Sequence, residues 1–138
     1  MVLLITRETD YALRILRALA DGERRTMKTL CEAEEVPQQF AYKIVKKLAR
    51  AGLVQSTRGV DGGCRLTCDL ARTTLYDLVQ VMEADCQVSA CMDPGYQCPW
   101  VAKHCRRCTV HGELAAIQKK LDGELRSHSL QSVLLGGP

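Results

Sequence analysis

Cysteine is the residue type with the strongest chemical signal in this sequence. The 138-residue chain contains eight cysteines, and five of them lie within residues 86–108. In a small secreted protein such a count indicates a disulfide framework. Here the apolar start, Met1 to Ile5, has no basic region before it and runs directly into charged residues, so neither a signal peptide nor a membrane span is expected. We therefore expect a cytoplasmic protein in which clustered thiols serve metal or redox chemistry.

Four of the clustered cysteines have spacings that suit a metal centre. They are separated by six, six and two residues: Cys91, Cys98, Cys105 and Cys108. Four thiolates complete a tetrahedral zinc site or hold an iron-sulfur cluster, and spacing alone does not distinguish the two. Without a metal, the neighbouring thiols of Cys105 and Cys108 could sense oxidants by forming a disulfide. The remaining cysteines are expected to be structural: Cys31, Cys64, Cys68 and Cys86.

The first half of the chain contains the predicted helices and strands on which a metal or redox site would act. Apolar residues at helical spacing predict one helix that ends near Gly22, a short helix from Thr26 that stops at Val36-Pro37, and a third from Gln38 to Arg50. Two short strands, 53–56 and 64–67, flank a glycine-rich connection suited to a hairpin. Thr74 and Asp77 have the spacing of a capping box, which predicts a fourth helix that ends by residue 85.

Positive charge is concentrated around the third helix and the hairpin. Residues 1–72 carry 13 Lys and Arg against 9 Asp and Glu, whereas residues 73–138 carry 6 against 7. Helix, tight turn, basic helix and glycine-rich hairpin is the order of a winged helix-turn-helix, whose second helix enters the major groove. Amide, phenol and cationic side chains suit base edges and phosphates. The expected DNA contacts are Gln38, Gln39, Tyr42, Lys43, Lys46, Arg58 and Arg65.

A long last helix is predicted to need a partner chain. Its apolar residues form a narrow stripe: Val110, Leu114, Ile117 and Leu121. The expected fold is mainly α-helical with a small β-hairpin wing, a winged helix-turn-helix domain followed by a long C-terminal dimerisation helix. The expected organisation is a DNA-binding domain at 1–85, a cysteine-rich loop at 86–108, a dimerisation helix at 109–132 and a frayed tail at 133–138.

Three stretches of the sequence resemble the Rrf2 family of bacterial transcriptional regulators. They are Thr6 to Arg14, Lys46 to Val54, and Ser56 to Gly63 with its Arg-Gly-x-x-Gly-Gly pattern. The resemblance covers nearly the whole chain and implies a homodimer that binds a roughly palindromic DNA operator, with the long last helices forming the dimer contact. The family includes an iron-sulfur cluster regulator and a nitric-oxide sensor. One departure is Cys64, where the family usually has an aromatic residue.

The resemblance also bears on the metal ligands. Several family members use three cysteines of this region for an iron-sulfur cluster, which implies Cys91, Cys98 and Cys108 as the core set here. Cys105, His111 and Asp10 are the alternatives for the fourth ligand. The predicted function is a DNA-binding regulator controlled by an iron-sulfur cluster, with a zinc or thiol-redox regulator as the alternative. A small iron-sulfur electron carrier is a further alternative, and no enzyme motif can be assembled from the sequence.

Overall fold

Threonine caps fix where the helices of the first half begin. In the computed structural model, which describes residues 4–58, 62–83 and 87–136, the Thr6 hydroxyl accepts the Thr9 N–H and so caps α1, Arg7–Ala18. Thr26 caps α2, Met27–Glu34, in the same way. Pro37 precedes α3, Gln38–Arg50, and Gly52 ends the turn after α3 with a φ of 80°, a conformation that favours glycine. The three helices agree with the sequence prediction.

A two-stranded antiparallel hairpin follows α3. Strands β1, Val54–Thr57, and β2, Gly63–Leu66, are each shifted by one residue from the prediction. The other edge of β2 pairs with the segment before α2, because Cys64 and Arg25 exchange two backbone hydrogen bonds of 2.8 and 2.9 Å. A Cβ at position 63 would collide with the Arg25 carbonyl, so this approach requires Gly63. Residues 59–61 of the predicted connection lie outside the described residues.

The fourth helix and the core complete the domain. The Thr74 and Asp77 side chains each accept the other residue's backbone N–H at the start of α4, Leu75–Met82, which confirms the predicted capping box. The core lies between α1, α3 and α4 and includes Ile15, Ile44 and Leu78, all fully buried. Cys64 is also buried in this core, where it takes the place of the expected aromatic residue.

The cysteine-rich segment has more helical structure than its sequence indicated. A single 3₁₀ turn occupies Ala90–Met92, and α5 spans Pro99–His104. The expectation of a loop was wrong for α5: proline is favourable in the first helical turn, and six residues are too few to show apolar periodicity. Cys86 and the predicted boundary at 85–86 lie outside the described residues.

The expected helix over 109–132 is divided in two. Helix α6 spans Thr109–Arg126, and a shorter helix, α7, spans Leu130–Leu135 with Ser129 as its cap. Leu130 is fully buried in the domain core, and α7 packs against α1. Backbone bonds from Leu75 to His128 and from Leu130 to Thr73, both 2.8 Å, hold the break in place. Residues 133–135 are therefore helical rather than frayed, and the burial of Leu130 stabilises α7 against the core.

No helix in the described ranges has the length and apolar character needed to cross a membrane.

Candidate DNA interface and metal site

An open groove separates α3 from the hairpin, and the start of α2 forms its third wall. Its polar lining comes from all three elements: Thr26, Lys28, Gln38, Tyr42, Lys46, Arg50, Ser56, Thr57 and Arg58. Gln38, Tyr42, Lys46 and Arg50 follow one another at intervals of four residues, so they form a single stripe along α3. The Gln38 amide donates to the Tyr42 hydroxyl at 3.4 Å. Such a stripe offers hydrogen-bonding and cationic groups along the length of the helix.

The sequence-predicted DNA contacts separate into two groups in the structure. Gln38, Tyr42, Lys46 and Arg58 line the groove. Gln39 is exposed but is not part of the groove wall. Lys43 is exposed and bonded to Glu8 at 3.0 Å. Arg65 lies on the other side of the hairpin, where its Nε donates to Gln55 Oε1 at 2.9 Å.

Two basic residues of the groove were not among the predicted contacts. Arg50 lies one turn after Lys46 on the same stripe, and Lys28 lies in the first turn of α2. The four-residue interval was the signal that could have found Arg50. Lys28 had no comparable signal, because its place in the groove depends on the contact between the hairpin and the start of α2.

Three of the four candidate ligands lie at the ends of helices, and the fourth lies within a 3₁₀ turn. Cys91 is in the 3₁₀ turn, 3.3 Å from the Ser89 hydroxyl, and Cys98 directly precedes α5. Cys105 ends α5 in a left-handed conformation with a φ of 49°, and its exposed thiol donates to the Ala102 carbonyl at 3.7 Å. Cys108 caps α6, where its sulfur accepts the His111 N–H at 3.4 Å. All four are free thiols that solvent can reach.

The structure does not gather these thiols around one point. Within the part of the chain that the structure describes, no three His, Cys, Asp or Glu side chains lie close enough together to hold a metal ion. The chemistry of the donor set nevertheless fits a thiolate-bound metal, because four accessible sulfurs lie within 18 residues of sequence. Asp10, an alternative fourth ligand, pairs with Arg14 at 3.1 Å.

The described cysteines outside this segment differ in environment. Burial raises the pKa of Cys64 to about 11, and burial also raises the pKa of the Cys31 and Cys68 thiols. These groups stay protonated at neutral pH, whereas a metal ligand must be a thiolate. Cys31 and Cys68 are half-buried, and all three cysteines pack with the core, as expected of structural cysteines.

A helix-turn-helix with a basic second helix and an adjoining hairpin defines a winged-helix DNA-binding protein. The profile of the Rrf2 family, described as "Iron-dependent Transcriptional regulator", matches residues 5–135. The chain belongs to the Rrf2 family. This confirms the family that the sequence resembles, which is a family of transcriptional regulators rather than of enzymes.

Individual proteins agree with this assignment. Protein aau3 of Rhizobium meliloti is 37% identical over 100 residues, which are 70% of this chain and 65% of that protein. The HTH-type transcriptional regulator NsrR of Geobacillus kaustophilus is 30% identical over 123 residues, 86% of this chain and 83% of NsrR. The chain thus spans just under two thirds of the length of aau3.

A solved structure shares the fold. CymR, the global cysteine regulator of Bacillus subtilis, superimposes with a TM-score of 0.73 and 21% identity, covering 99% of this chain and all of CymR. The fold is therefore shared over nearly the full length of the two chains.

Proposed function

We propose that this protein is a homodimeric regulator of transcription in the bacterial cytoplasm. It binds operator DNA through α3 and the wing, and an iron-sulfur cluster on its cysteine-rich segment controls that binding. The observation that carries the proposal is the placement of four free, accessible cysteines between the DNA-binding domain and α6. The proposed ligands are Cys91, Cys98, Cys105 and Cys108.

The groove supports the DNA-binding part of the proposal. The α3 stripe ends in two cations, Lys46 and Arg50, and Arg58 faces it from the hairpin. A helix of this kind enters the major groove, and a wing contacts the backbone or the adjacent minor groove. We assign the amide and phenol groups of Gln38 and Tyr42 to base edges and the three cations to phosphates.

The surface of α6 supports the homodimer. None of its residues is buried in the single chain, although the helix has 18 residues. Val110 is 63% exposed and Ile117 is 52% exposed, on the apolar stripe that the sequence indicated. A second copy of α6 would bury this stripe, since a helix of this composition gains its stability from packing rather than from propensity.

Two contacts tie the cysteine-rich segment and α4 to the dimer helix. Gln118 of α6 accepts the Val88 N–H at 2.8 Å through its Oε1 atom, at the start of the segment. At the C-terminal end of α6, the Arg126 guanidinium lies 3.9 Å from the centre of the Tyr76 ring on α4. A rearrangement of the segment therefore acts directly on the angle between α6 and the DNA-binding domain.

The ligand positions explain how such a rearrangement would arise. A bound cluster supplies a redox-active iron centre that requires thiolate ligands. Cys98 and Cys108 are the residues before the first turns of α5 and α6, so a change in their partners changes how both helices begin. Cys105 is favoured as the fourth ligand, because it is exposed and only three residues from Cys108.

The test is DNA binding by anaerobically purified protein before and after removal of its metal. We expect the affinity of the natural chain for its own promoter region to change when iron is chelated. The Cys98→Ser variant should have the same affinity before and after chelation. Cys68→Ser, which alters a cysteine outside the segment, should behave like the natural chain. A colourless natural protein with stoichiometric zinc would favour the zinc alternative, and equal affinity with and without iron would contradict control by a cluster.

A further inference from the structure

Glu8 in the first turn of α1 binds two lysines of α3. Its Oε1 atom accepts from Lys43 Nζ at 3.0 Å, and its Oε2 atom accepts from Lys47 Nζ at 3.3 Å. Lys43 and Lys47 are one turn apart on α3, so the carboxylate bridges them with one oxygen for each. The hydrogen bond from Lys43, opposed in part by burial and aided by Lys47, holds the pKa of Glu8 below its usual value. Glu8 is therefore fully charged at neutral pH.

The two lysines form a second basic stripe beside the groove stripe. Lys46 and Arg50 line the groove and have no ion-pair partner among the described residues. Lys43 points instead toward α1, yet its side chain remains 62% exposed. A helix that lies in the major groove has a phosphate backbone on each side. The side of α3 that carries Lys43 therefore meets phosphates when the other side meets the wing.

The first turn of α1 is held in place by hydrogen bonds to the end of α4. The hydroxyls of Thr6 and Thr9 both donate to Glu83 at the end of α4, and Thr9 is fully buried. The backbone that carries Glu8 is thus tied to a second helix and cannot easily move away from α3. The two lysine side chains can therefore change partner while this backbone stays in place.

We propose that Glu8 is an internal competitor of DNA, a carboxylate that occupies Lys43 and Lys47 until phosphates displace it. This inference rests on the α3 and wing interface proposed above. It assigns Glu8 the role of limiting affinity for DNA of any sequence, because phosphate contacts supply most of non-specific binding. Exposed lysine–carboxylate pairs are weak enough for phosphates to displace.

The test uses the full chain and a fluorescent duplex of about 30 base pairs of mixed sequence, so that no operator need be known. Glu8→Gln removes the charge and keeps the shape of the side chain. We expect it to bind the duplex about 3- to 10-fold more tightly at low salt, with the difference narrowing as salt screens the pair. Lys43→Ala should weaken binding by a larger factor in the Glu8→Gln chain than in the natural chain, since only there is the lysine unoccupied.

Glu23→Gln is the matched control. Glu23 lies in the turn after α1, makes no ion pair within the described residues, and loses the same charge on substitution. An equal gain in affinity for Glu23→Gln would mean that net charge alone matters, and would overturn the proposal. Unchanged binding by Glu8→Gln would also overturn the proposal. Weaker binding would overturn it too, because Glu8 would then position the two lysines for DNA rather than compete with DNA for them. If the natural chain and all variants fail to bind the duplex, the proposed interface itself is wrong.

Discussion

Replacing Leu130 tests whether α7 is part of the domain core. Leu130→Ala removes three side-chain carbons from a fully buried position while leaving the Leu130 N–H bond to Thr73 and the Gln131 N–H bond to Leu70 available. Leucine-to-alanine changes in cores cost about 2–5 kcal/mol, and a six-residue helix at the edge of the core can partly collapse into the space. We therefore expect a loss of about 2–3 kcal/mol in the free energy of unfolding, a large share of the roughly 5–15 kcal/mol typical of a domain.

Urea unfolding followed by circular dichroism measures this loss. Natural and variant chains should be compared at one protein concentration, because dimerisation makes apparent stability depend on concentration. Leu135→Ala is the control on the same helix: Leu135 is 55% exposed, so its truncation should cost less than about 0.5 kcal/mol. Equal effects of the two substitutions would refute the docking of α7 and favour one continuous helix over 109–132.

Three further predictions concern the groove, the core and the dimer. In a fluorescence-anisotropy salt series, Lys46→Ala should weaken DNA binding and reduce the slope of log affinity against log salt by about one. Arg65→Ala, which alters a residue outside the groove, should leave this slope nearly unchanged. Burial raises the pKa of Cys64 to about 11, so above pH 9 this thiol ionises in the unfolded chain before it ionises in the folded chain. The free energy of unfolding should therefore fall between pH 9 and 11, by at most about 1.4 kcal/mol per pH unit. Cys64→Ala should lack this component in denaturation curves. Ile117→Asp should convert a dimer to a monomer in sedimentation velocity, and an unchanged dimer would contradict the α6 interface.

The elements of the DNA-binding half could be predicted because their signals are local. Thr74 and Asp77 cap α4 through contacts three residues apart, and the apolar residues of α3 recur at helical spacing. Local signals could not distinguish Lys46, which lines the groove, from Lys43, which does not. Both are exposed lysines of one helix, and only the distant Glu8 gives Lys43 a partner.

The end of α6 and the cysteine geometry depend on tertiary structure. Neither glycine nor proline marks the break at 127–129, which follows from the burial of Leu130 in the domain core. The four candidate ligands could be named from sequence as sulfur donors in one segment. The arrangement of these ligands in space could not be predicted, because mostly short elements with few apolar residues hold them. A metal centre also contributes part of the energy that brings its ligands together.

The most direct test of the central claim is the metal content of protein purified without oxygen. Absorption spectroscopy, combined with analysis of iron, acid-labile sulfide and zinc, reports the identity of the centre in one preparation. We predict a brown protein that contains iron and sulfide in similar amounts and that loses both on Cys98→Ser. A colourless protein with one zinc per chain, or with no metal, would contradict control of this regulator by an iron-sulfur cluster.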